Sequence, residues 1–441
     1  MQRDSLGLPL SGAGADAVGH YETARHELQC YIGDPVATID RAIAASPGFV
    51  MAHAFKAWLY LLSTEAGAQA PARACWEAAA ALPGDARERG HVAAVGQLLA
   101  GRWGEASRTL EDVTVAAPRD ALALQVGHLI DFYRGDARML RDRIARALSR
   151  WDAAMPGWHA VLGMRAFGLE ECGDYAAAEA AGKRGVELER RDGWAQHAVA
   201  HVLEMQGRLD DGIAWMRADP PAWSEGSFFC VHNWWHLALY HLERGETDEV
   251  LALFDGPVFG ARSTVVLDLI DASALLWRLH LRGVDVGDRW QGVADNWQAA
   301  DTAGHYAFND AHAMMAFVGA GRADAAEAVL AAQERAMAAD TDNAAFTREV
   351  GRPVALAIRA CSDGDWAGAL GLLRPVRGIA HRFGGSHAQR DVIDLTMIEA
   401  AIRAGERAFA EALAAERLAA KPMSPLARLF ATRIAAMPAA G

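Results

Sequence analysis

Five stretches decide the fold: LLAGRWGEA (98–106), EECGDYAAAEA (170–180), EMQGRLDDG (204–212), VGAGRADAAEA (318–328) and IRAGERAFAEA (402–412). In each, a helical pattern runs into a Gly, and a second helical pattern restarts just beyond it. Gly ends a helix readily because the left-handed backbone region carries no Cβ penalty there. Working outward, glycines in the same setting are Gly33, Gly67, Gly101, Gly135, Gly173, Gly207, Gly245, Gly283, Gly321, Gly364 and Gly405, at intervals of 34, 34, 34, 38, 34, 38, 38, 38, 43 and 41 residues. Such a period signals stacked helical units in place of the three or so domains that length alone suggests.

A second regularity sets the geometry of each unit. Five residues after the Gly come Ala72, Ala106, Ala178, Gly212, Ala326, Ala369 and Ala410, and seven before it come Ala94, Ala166, Ala200, Ala238 and Ala357. Small side chains there let two antiparallel helices approach to about 8 Å. Pro47, Pro83, Pro118 and Pro422 stand where second helices should close. Alternation of period two never persists, so no strand is expected. The pattern resembles tetratricopeptide repeats, and the resemblance implies an all-α, right-handed α-solenoid. About eleven hairpins would run as one continuous superhelix over residues 1–441, and SPLARLFATRIAAM (424–437) would be its capping helix.

Composition narrows the partners. Lys+Arg 43 against Asp+Glu 56 gives a net charge of −13, with no basic cluster able to neutralise a run of phosphates, so no nucleic-acid partner is expected. MQRDSLGLPLSGAG (1–14) lacks the basic start and apolar stretch of a secretory leader, and no window is apolar enough to span a membrane. Cys30, Cys75, Cys172, Cys230 and Cys361 are scattered and never form a C-x-x-C pair, so neither a disulfide framework nor a thiolate metal site is signalled. A cytoplasmic protein is expected, and a homodimer is compatible with the sequence.

The repeat register selects the polar residues that matter. Counting the turn Gly as position 15, tetratricopeptide grooves are lined by positions 2, 5, 9, 12 and 13 of the first helix. In the repeat ending at Gly207 these are Trp194, His197, His201, Glu204 and Met205. The i, i+4, i+7 spacing of His197, His201 and Glu204 stacks them on one face. The next repeat offers His232, Asn233, Trp235 and His236; later ones offer Asp271, Ser273 and Trp277, then Asn309, Asp310 and His312. His197, His201, Glu204, His232 and His236 are the candidate catalytic set, since a His beside a carboxylate is an oriented base. His197, His201 and Glu204 are the candidate ligands of a divalent metal, zinc or iron, although H-E-x-x-H is absent. Trp194, Asn233, Trp235, Asp271, Asn309, Asp310, His312, Arg390 and Asp391 are the candidate ligand-binding residues. Each has a plainer reading: His53, His91, His128, His159 and His280 as packing or surface residues, the Trp residues as core, and Ser386 with Gln389 as a capping box.

WAQHAVAHVLEMQGR (194–208), HNWWHLALYHLERG (232–245), FNDAHAMMAF (308–317) and GGSHAQRDV (384–392) resemble strings of the tetratricopeptide repeat protein 38 family. That resemblance implies the same fold and marks the same polar stretches, and it brings no activity with it. Three functions stay open: a groove that binds a small polar molecule or a peptide or protein segment; a hydrolase, lyase or isomerase with a His-based acid–base or metal site; and a purely structural scaffold.

Overall fold

A computed structural model describes residues 2–438. Among them eleven antiparallel helix pairs follow one another, from Ala15–Cys30 with Pro35–Ala45 to His387–Arg403 with Arg407–Ala420, and Pro425–Ala435 ends the series. The fold is an all-α solenoid of helical hairpins. The one departure in class is an N-terminal hairpin of two short strands, Gln2–Arg3 and Pro9–Leu10.

The turns form for the expected reason. Gly101 (φ 74°) and Gly207 (φ 67°) sit in the left-handed region just past their helices. The Gly101 and Arg102 amides bond back to the Leu98 and Gln97 carbonyls, and the Gly207 and Arg208 amides to those of Glu204 and Leu203, so the last carbonyls of each helix are satisfied. Gly67 is the exception. It lies inside the short 3-10 helix Ala66–Ala68, and the left-handed residue after Val50–Leu61 is Thr64 (φ 57°). That helix stops early enough that the Gly falls in the connection.

The predicted crossing residues, those five after and those seven before the turn glycines, are all buried. Gly212 shows why size matters there: an added Cβ would come within 2.3 Å of the Tyr240 ring, whose hydroxyl donates to the Ala200 carbonyl at 2.5 Å. The capping box at Ser386 and Gln389 and the Ser424 cap followed by Pro425 are present as read.

The chain divides into two compact units. The first comprises Met1–Val199, Pro220–Cys230 and Asp340–Asp342; the second comprises Ala200–Asp219, Val231–Ala339 and Asn343–Gly441. In the first, buried Arg143 is held by both Asp131 carboxylate oxygens, at 2.7 and 3.1 Å, and by Ser107. His91, which accepts from Trp58 Nε1 at 3.2 Å, faces Asp120 at 3.0 Å. These buried charges are paired, which is what makes their burial tolerable.

In the second unit, the first helices of successive hairpins include Val266–Leu281 and His387–Arg403, and these two touch. Trp277 Nε1 donates to Thr396 Oγ1 at 3.0 Å and Arg278 to the Ala388 carbonyl at 2.7 Å. The segment after Arg407–Ala420 reaches earlier helices: Lys421 lies 3.7 Å from Glu204, Ser424 donates to Glu243, and Met423 lies over Gly207. In this unit the helix face expected to line an open groove is therefore covered by the chain's own C-terminal hairpin. No described helix is long and apolar enough to cross a membrane.

Candidate functional site: a histidine–carboxylate centre

Two helices bring imidazoles together and a third adds a carboxylate, all from residues of the second unit. His201 comes from the last turns of Gly193–Met205, His232 and His236 from consecutive turns of Cys230–Arg244, and Asp271 from Val266–Leu281. A nitrogen of each of His201, His232 and His236 lies within 4.8 Å of the others. The His201 and His236 rings are 4.4 Å apart and the His232 and His236 rings 4.9 Å, the latter pair perpendicular. The i, i+4 spacing of His232 and His236 puts both on one helix face, and the repeat puts that face beside His201.

Two of the three imidazoles carry a carboxylate. His232 Nδ1 lies 2.9 Å from Asp271 Oδ2, and His236 Nδ1 lies 3.2 Å from Glu204 Oε2. With Nδ1 donating to a carboxylate, Nε2 is the nitrogen that each ring can offer a metal or an acid, and the ring's orientation is set. His201 and His236 are fully buried and His232 nearly so.

Electrostatics favour neutral imidazoles at His201 and His236 and an ionised carboxylate at Glu204. Burial holds the His201 imidazole well below its ordinary value, reinforced by the neighbouring His236 and His232. Burial also lowers His236, though the Glu204 hydrogen bond works against it. Burial alone would raise Glu204; the His236 bond and the Lys421 charge outweigh it and keep the carboxyl below the usual range. A neutral imidazole is the form that ligates metals.

Beside the centre lies a cleft lined by Glu204, Glu243, Arg278, Arg282, Asp391 and Lys421. It leaves room for a water or two and is too small for an organic ligand. Asp391 is bidentate with Arg417, at 2.6 and 3.0 Å. Burial pushes the Asp391 carboxyl up, but Arg417 and Lys421 outweigh it and hold the group well below the carboxylate range.

The other sequence candidates also make packing and capping contacts. His197 stacks on Phe167 at 5.5 Å and meets Trp194 and Phe229. Trp194 stacks on Tyr31 at 5.5 Å and also meets Phe167 and Phe229, so its faces serve packing. Trp235 is buried between His232, stacked at 5.3 Å, and the Arg278 guanidinium. Asn233 is buried on the same helix. Asp310 accepts from the Gly304 amide at 2.9 Å, and His312 Nδ1 bonds to the Phe308 carbonyl at 2.8 Å. Asn309, next to them, is buried in the same helix, Ala307–Gly319. Asp310 and His312 thus secure that helix and the loop before it. Arg390 bonds to the Gly385 carbonyl, next to the capping box.

Arg278, Arg417 and Lys421 were not singled out in the sequence. Arg278 had one signal, a lone cation in the apolar run ALLWRLHL (274–281).

No family model matches the chain. Among solved structures it is similar to the human IFIT1 dimer with m7Gppp-AAAA, at 12% identity over 97% of this chain and 96% of that one, TM-score 0.42. It is also similar to the TPR domain of P58(IPK), at 14% identity over 89% of this chain and 99% of that one, TM-score 0.19. Scores this low transfer no site or ligand, and the capped oligonucleotide belongs to the IFIT1 dimer.

Proposed function

We propose that this α-solenoid is a metal-ion-binding protein, whose second unit holds one divalent transition-metal ion of the zinc or iron class on His201, His232 and His236. The observation that carries the reading is the pair of carboxylate–imidazole contacts, Glu204 on His236 and Asp271 on His232, made from neighbouring helices around a third imidazole. Carboxylates on the far nitrogen orient and strengthen histidine ligands, and three histidines with one remaining position form an open site that keeps a water. Tetrahedral coordination needs ligand nitrogens about 3.3 Å apart, so the rings, now within 4.8 Å, would draw in by rotamer adjustments. The strings that resemble the tetratricopeptide repeat protein 38 family supply all three histidines.

This set differs from the His197, His201 and Glu204 trio in the sequence, since Glu204 serves His236 from the outer side. Acid–base catalysis without a metal fits less well: the cleft beside Glu204 admits water and no organic substrate, and the covered helix face offers no trough for a peptide. With an ion bound, the chemistry supplied is Lewis-acid activation of a coordinated water or small anion.

Metal content of protein purified without an affinity tag and dialysed against zinc or cobalt tests the reading. A folded His201→Ala, His236→Ala double variant is expected to bind one equivalent less than wild type. Binding of as much metal by that variant as by wild type refutes it.

A further inference from the structure

We infer that the first unit carries a second, chemically different metal site, formed by His26, Cys30 and His159 with one thiolate and two imidazoles. It goes beyond the function proposed above and shares no residue with it. His26 and Cys30 are one turn apart on Ala15–Cys30, so they project from the same face, and His159 enters from the first turn of Trp158–Glu170. One donor atom of each lies within 4.8 Å of the others. Cys30 Sγ is 3.8 Å from His26 Nδ1, and the His26 and His159 rings are 6.0 Å apart. A zinc ion with bonds of about 2.3 Å to sulfur and about 2.0 Å to nitrogen spaces S and N about 3.6 Å apart, so the sulfur and first imidazole stand almost at coordination distance.

The surroundings are built as ligand support. His159 Nδ1 lies 2.8 Å from Asp192 Oδ2, which fixes the ring and assigns Nε2 to the cluster. Asp192 is itself fixed, because its other oxygen caps the next helix through the Ala195 amide at 2.8 Å. Glu189 Oε2 lies 4.0 Å from His26 Nε2 and stands ready as a fourth donor. Cys30 is buried whereas the His26 side chain is 49% exposed, so an ion has an entry path past His26 to a shielded thiolate. The thiolate with two imidazoles selects zinc, or cobalt as its probe, over calcium and magnesium. Coordination at neutral pH releases the Cys30 thiol proton to solvent, with no change of oxidation state. Spacing alone gave no signal, because His159 lies four hairpins further along the chain.

Cobalt(II) titration of the untagged, reduced full-length chain tests the site. Wild type should develop a near-ultraviolet thiolate-to-cobalt charge-transfer band. Cys30→Ser should abolish it, and His26→Ala, at a half-exposed position that leaves the fold intact, should weaken cobalt binding at least tenfold. The His201→Ala, His236→Ala variant should keep the band, so failure here is distinguishable from failure of the site in the second unit. No thiolate band in wild type, or an undiminished band in folded His26→Ala, overturns the proposal.

Discussion

Asp391→Ala should cost about 3 kcal/mol of unfolding free energy at pH 7, the loss incurred when one partner of a buried, hydrogen-bonded ion pair is removed. Both carboxylate oxygens engage Arg417, whose side chain is only 6% exposed, and Asp391 also neutralises nearby Lys421 and Arg278. Removing the carboxylate leaves an enclosed guanidinium that cannot lose its proton. The damage should come from the orphaned charge, so Asp391→Leu combined with Arg417→Met should recover most of it. Because the folded carboxyl lies below its ordinary value of 3.8, its contribution is present above that pH and is lost as pH falls through it. The gap between wild type and Asp391→Ala should therefore shrink by about 1 kcal/mol per pH unit below about pH 4. Urea unfolding at several pH values checks this. A pH-independent gap below 1 kcal/mol would show that the pair is not holding the two helices of the last hairpin together.

Asp310→Asn should stabilise the protein progressively above about pH 4 and fully above about pH 7. Burial raises this carboxyl to about 7, against which the Gly304 amide bond works only in part. The group is raised, so its stabilising neutral form is fully present below the unfolded value near 4 and is lost as pH rises through about 7. Three units correspond to roughly 4 kcal/mol of destabilisation once the group is forced to ionise. Asparagine keeps the acceptor for Gly304 and removes the charge. Wild type and variant should unfold at similar urea concentrations at pH 4, and the variant should be more stable by roughly 3 kcal/mol at pH 8. Equal stabilities at pH 8 would mean that Asp310 ionises at little cost and has a cation beside it. His312 is neutral at pH 8, since burial lowers it to about 4.

Local rules made the fold legible. Helix-ending glycines and small crossing residues act within one hairpin, so their spacing marks eleven hairpins in the sequence. The rule failed at Gly67, where Thr64 takes the left-handed position. The centre was half legible. Repeat register placed His201, Glu204, His232, His236 and Asp271 at matching heights on successive helices, and four of those meet as two carboxylate–imidazole pairs. His197 shares the register and also stacks on Phe167 and meets Phe229. Nothing periodic announces that Lys421 and Ser424 return to Glu204 and Glu243, because that contact joins residues about two hundred positions apart. The expectation of an open groove in this region came from repeats that lack such a return.

The most direct test of the centre is a crystallographic anomalous difference map from zinc-loaded, untagged protein, recorded on both sides of the zinc edge. An edge-dependent peak is expected about 2.0–2.1 Å from one nitrogen each of His201, His232 and His236, with Glu204 and Asp271 still on the far nitrogens. A map with no peak there, from crystals whose zinc content is established, would contradict that expectation and leave the three histidines as a buried structural network.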